Sequence, residues 1–104
     1  MTTAETIERD KLHTSFRELL ATEAGRRVIY WMLEQSAIYR EAYTGDDAAT
    51  NYTLGMQATG RKLISEIDTI EPRLYPQLLL DIAELRERDR VAAEAINQPE
   101  DEHD

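Results

Sequence analysis

The chain has 104 residues, no cysteine and a formal net charge of −9. That length fits one domain with one modest core. The missing thiols exclude disulfides and thiolate metal sites. The charge disfavours nonspecific binding to nucleic acid or anionic lipid, which depends on neutralising phosphate.

Residues 1 to 22 lack the apolar core of a signal peptide, and no run of about 18 apolar residues is present to span a membrane. A soluble, intracellular protein is therefore expected. A first helix is predicted from about Thr6 to Ala21, with Leu12, Phe16, Leu19 and Leu20 on one face. Thr22 is placed to cap a second helix, whose first turn receives Glu23. Val28, Ile29, Trp31, Met32, Leu33 and Ile38 give that helix the wide apolar face of a central element. It is expected to fade near Tyr43, before Gly45, which can take positive φ, and Asp46 or Asp47, which can cap the next helix.

The third helix is predicted from about Ala48 to Ile70, with the stripe Tyr52, Met56, Gly60, Leu63, Ile67 and Ile70. The fourth runs from Pro72, in its first turn, to about Ile96, with Leu74, Leu78, Ile82 and Leu85 on one face. Beyond Leu85, RERDRVAAEA is rich in strong helix formers and reads as a solvated extension or a helix with a partner. No segment alternates as a strand would. The fold class is all-α: a compact bundle of about four helices forming one domain over residues 1 to 97. Residues 98 to 104, QPEDEHD, form an acidic tail expected to be solvated and frayed.

Two Gly-basic-basic segments, Gly25-Arg26-Arg27 and Gly60-Arg61-Lys62, open or punctuate helical runs. A mid-helix glycine costs about 1 kcal/mol against alanine, so Gly55 and Gly60 call for compensation. Gly60 lies on the apolar stripe and fits close approach of a neighbouring helix; Gly55 is one position off it. GMQATGRKL is not a phosphate loop, because lysine and a hydroxyl do not directly follow the second glycine. Arg26, Arg27, Arg61 and Lys62 read either as salt-bridge partners or, if they share a face, as a phosphate contact. His13 and His103 have no metal-ligand spacing. Asp46 and Asp47 lack the calcium-loop pattern and read as caps. No nucleophile or acid–base constellation stands out, so neither an enzyme nor a cofactor is expected.

The aromatic residues point elsewhere. Tyr30 and Trp31 diverge by about 100° on a helix, while Tyr39 and Tyr43 are four apart. They are either partly buried aromatics or the anchors of a protein interface, where tyrosine, tryptophan and arginine concentrate. Candidate partner-binding residues are Arg26, Arg27, Tyr30, Trp31, Tyr39 and Tyr43.

FRELLATEAGRRVIYWMLEQ, AYTGDDAATNY, GMQATGRKLISEI and EPRLYPQLL, spread over residues 16 to 80, resemble the Bbp19-like domain family of tailed phages. The shared pattern is a Phe-x-x-Leu-Leu lead-in, a Gly-Arg-x-Val entry to a helix, an aromatic-Thr-Gly break and a glycine-bearing helix. The chain departs from it at Met56 and Gln57, where a basic residue is expected. The resemblance implies a non-enzymatic phage protein, a virion structural or particle-assembly component that docks on another phage structural protein. It would be found in the host cytoplasm during infection or in the virion, and self-association is compatible with it. An alternative from the charge alone is an acidic inhibitor that covers a basic surface of a host protein. Neither reading requires membrane or direct nucleic-acid contact.

Overall fold

A computed structural model describes residues 1–98, which form four helices and no strand: α1 (Thr3–Leu20), α2 (Glu23–Gln35), α3 (Asp47–Ile70) and α4 (Leu74–Asn97). The all-α bundle expected from the sequence is present. Of the acidic tail, only Gln98 falls within the described residues.

Helix α1 begins three residues before the predicted start. Thr2 and Glu5 form a capping pair: the Thr2 hydroxyl accepts the Glu5 amide at 3.1 Å and donates to the Glu5 carboxylate at 3.0 Å. Thr22 caps α2 as expected, accepting the Gly25 amide at 3.0 Å. The corner between these helices is tight because Gly25 lies directly against the Leu19 backbone.

Helix α2 ends at Gln35 rather than near Tyr43. Ser36 closes it, and Ala37 turns the chain with φ of 60°, the one non-glycine residue at positive φ among those described. This conformation costs an L-residue roughly 1–2 kcal/mol, and buried Gln57 on α3 holds it in place. Its side-chain amide donates to the carbonyls of Ala37 at 2.9 Å and Arg40 at 2.7 Å. Gly60, one turn further along α3, admits the same turn: a β-carbon there would lie 2.9 Å from Ser36 Cβ and 3.2 Å from Ile38 Cβ. The close approach expected at Gly60 is real, but its neighbour is this turn rather than another helix.

The connection ends as the sequence suggests. Gly45 takes φ of 85°, and the Asp46 carboxylate accepts the Ala49 amide at 2.8 Å to start α3. The Thr44 amide is bonded to the Thr50 hydroxyl at 3.1 Å. Pro72 lies in the turn before α4 rather than in its first turn. Pro76 is the third residue of α4, where its missing N–H belongs to the four that have no intrahelical partner anyway.

The core joins Leu20 of α1, Ile29 and Leu33 of α2, Ile67 of α3, and Leu78, Ile82 and Leu85 of α4. Phe16, Ile38, Leu63 and Leu74 pack around it. Two predicted faces are only half covered. Leu12 and Leu19 on α1, and Val28, Trp31 and Met32 on α2, remain exposed. The molecule is only 18 Å thick along its shortest axis, about two helix layers, so the outer faces of these helices have no third layer to cover them. From Arg86 to Asn97, α4 is exposed at every residue.

A tyrosine cluster and an apolar groove around α2

Helix α2 places its residues on three differently directed faces. Ile29 and Leu33 enter the core, Glu23, Arg27 and Glu34 meet α4, and Val28, Trp31 and Met32 look outward.

The α4-facing side is built from ion pairs. Glu23 accepts Arg27 at 2.9 Å and Arg88 at 2.5 Å, Arg27 also reaches Asp89 at 2.9 Å, and Glu34 accepts Arg86 at 2.9 Å. The Arg88 and Arg27 guanidinium groups hold the Glu23 carboxyl down to about 2. Arg26 turns inward, donating to the Leu20 carbonyl at 3.1 Å, with its Nε 3.8 Å from Asp81. The latter is an electrostatic contact without a hydrogen bond. On the opposite edge, Glu66 of α3 accepts Arg9 at 3.0 Å and meets His13 Nε2 at 2.8 Å. His13 leads, ahead of Arg9, in lowering the Glu66 pKa.

These pairs change the standing of two expected partner-binding residues. Arg26 and Arg27 are engaged within the chain by Leu20, Asp81, Glu23 and Asp89. That agrees with the salt-bridge reading and leaves neither as a free anchor. Arg61 and Lys62 stay exposed, with no ion pair among the described residues.

Tyr30 and Tyr39 come together. Their rings stack with centroids 5.5 Å apart and planes inclined by 19°, a separation typical of an attractive aromatic pair. The Arg86 guanidinium lies 4.8 Å from the centre of the Tyr30 ring, within cation–π range. The Tyr39 and Tyr75 hydroxyls share a hydrogen bond of 2.8 Å. Burial, then the Tyr75 bond, raises the Tyr39 pKa above the ordinary phenol value, so the Tyr39 hydroxyl keeps its proton. Beside the stack is an open recess of about 200 Å³ lined by Tyr30, Glu34, Tyr39 and Arg40.

Trp31 and Tyr43 take no part in the stack, although Trp31 shares a recess of about 210 Å³ with Arg27, Tyr30, Glu34 and Arg86. Trp31 is 59% exposed on the outward face of α2, and Tyr43 is 75% exposed in the connection to α3. Trp31 also borders a groove of about 310 Å³ between α2 and α3, lined by Met32, Gln35, Ser36, Met56 and Thr59. Sequence reasoning did not place Tyr75, Arg86 or Met56 in any site. Tyr75 and Arg86 reach theirs only through the packing of α4 on α2, for which no local pattern exists. Met56 stands on a stripe that read simply as core.

Among the described residues, no group of three or more His, Cys, Asp or Glu side chains is arranged to hold a metal ion. No helix among them is long and apolar enough to cross a membrane. Compared with protein families, curated proteins and solved structures, the chain matches none of them.

Proposed function

We propose that this chain is a non-enzymatic docking protein that binds a protein partner through the surface built on Tyr30 and Tyr39. The observation that carries this reading is the Tyr30–Tyr39 stack. It is braced by Arg86 on one ring and Tyr75 on the other hydroxyl, so the aromatic surface is ordered before contact. An anchor already held in place loses less side-chain entropy on binding. Tyrosine is also among the residues that dominate interface energetics.

The resemblance over residues 16 to 80 directs the proposal to a phage structural or assembly protein as the partner. The alternative, an acidic inhibitor of a basic host surface, draws on the −9 charge. It carries less weight because Glu23, Glu34, Glu66, Asp81 and Asp89 are already engaged by the chain's own basic residues.

Mass spectrometry of purified particles tests the reading: a virion component is recovered at fixed stoichiometry. Absence from particles, together with a captured host protein whose binding weakens steeply with salt, would establish the inhibitor instead.

A further inference from the structure

Two recesses flank the edge of α2 that carries Tyr30 and Glu34. One, of about 200 Å³, is completed by Tyr39 and Arg40; the other, of about 210 Å³, has Trp31, Ile82 and Leu85 in its wall. Tyr30 and Glu34 line both, so the two lie side by side. Each is smaller than the roughly 300–1,000 Å³ of a small-molecule pocket and suits a single side chain. The cations around them are not equivalent. Arg27 is taken up by Glu23 and Asp89, and Arg86 by Glu34. Arg40 is exposed and has no ion pair among the described residues, with neither Glu34 nor its neighbour Glu41. Its backbone is nonetheless fixed: the carbonyl accepts the Gln57 amide at 2.7 Å, and the Arg40 amide donates to the Ala37 carbonyl at 3.1 Å.

Resting on the tyrosine docking surface proposed above, we infer that the partner presents an acidic segment to it. An Asp or Glu side chain of that segment pairs with Arg40, and a neighbouring apolar side chain enters the recess beside Trp31. Charge complementarity carries this choice of partner. Carboxylates outnumber cations by 21 to 12 in the chain, yet the arginine beside the tyrosine stack is left without one. A guanidinium can donate two parallel hydrogen bonds to a carboxylate, and a recess that sheds water on contact strengthens the pair. A basic segment would instead set its charge against Arg40 and find Glu34 already bonded to Arg86. Because the recesses adjoin, a segment can cross from one to the other with both of its ends outside.

Selection of random displayed peptides against the immobilised full chain is the test. Enriched peptides should carry Asp or Glu beside an apolar residue such as Leu or Phe. Synthesised as C-terminal amides, so that side chains supply the only carboxylates, they should bind Arg40→Glu roughly tenfold or more weakly than wild type, and Tyr39→Ala likewise. Arg61→Glu, at an exposed arginine of α3 outside both recesses, should leave affinity unchanged, which separates a local pair from overall charge. Circular dichroism checks that each variant keeps its helices. Peptides that need Tyr39 but lack acidic residues, or ignore Arg40→Glu, overturn the acidic preference and leave the docking surface standing. Equal weakening by Arg61→Glu overturns it too. Peptides that ignore Tyr39→Ala, or a selection that yields none, refute the docking surface itself and the acidic preference with it.

Discussion

Gly25 of α2 and Leu19 of α1 are in backbone-to-backbone contact: a β-carbon at Gly25 would lie 2.5 Å from the Leu19 carbonyl carbon and 2.7 Å from its Cα. Backbone cannot swing aside as a side chain can. Gly25→Ala should therefore destabilise the fold by roughly 3 kcal/mol, the upper part of the range for overpacking, despite alanine's better helix propensity. Thermal or urea unfolding measures it, and a melting temperature at or above wild type would refute the close approach.

Gly60 and Gly55 make a paired comparison within α3. At Gly60 the obstruction is the Ser36 side chain and Ile38 Cβ, so Gly60→Ala should cost about 1–2 kcal/mol. Combining it with Ser36→Gly should show favourable coupling in a double-mutant cycle. At Gly55 a β-carbon would meet nothing within 4 Å. Gly55→Ala should stabilise by about 0.5–1 kcal/mol through helix propensity. Equal effects at the two positions would contradict the geometry.

Gln57→Leu should leave the carbonyls of Ala37 and Arg40 without their donor inside a turn that already holds Ala37 at positive φ. A loss of roughly 1–3 kcal/mol is expected. Amide exchange should quicken first over residues 36 to 44, well before the core of α4, and hydrogen-exchange mass spectrometry separates the two regions.

The Glu23 carboxyl titrates at about 2, against 4.5 for an unperturbed glutamate, because Arg88 and Arg27 bond to its charged form. A depressed carboxylate stabilises the folded state fully above its unfolded pKa and loses that contribution as pH falls through 4.5 towards 2. Glu23→Gln should therefore remove part of the stability lost over that acid window while lowering stability at neutral pH. The effect should shrink in high salt, since the ion pairs lie at the surface with both side chains partly exposed. Carboxyl chemical shifts followed against pH check the midpoint directly.

The helix starts at Thr22 and Asp46, and the positive φ at Gly45, were legible because caps and turns are local chemistry. The end of α2 was not. Ile38, Tyr39 and Tyr43 continue a helical spacing, and no glycine or proline marks Ala37. What stops the helix is a side chain twenty residues away, Gln57, which on sequence alone looks like an ordinary surface amide. The fate of Arg26 and Arg27 was half legible. Glu23 lies one turn before Arg27, a local pair, but Asp81 and Asp89 arrive only through packing of α4. The stacking of Tyr30 on Tyr39 likewise depends on the unforeseen turn, because a continuous helix would have carried Tyr39 away from Tyr30.

Gln57 and Thr50, which hold the two ends of the α2–α3 connection, are seven residues apart on one helix. Two turns of α3, about 10.5 Å, put them on the same side. Helix α3 thus acts as a ruler for the loop, fixing the span between its tethers while Glu41, Ala42 and Tyr43 bridge the gap. The reach of Tyr43 can then change with the length or sequence of that short bridge while the core is untouched. Substitutions in those three residues could redirect the exposed Tyr43 and leave the four helices as they are.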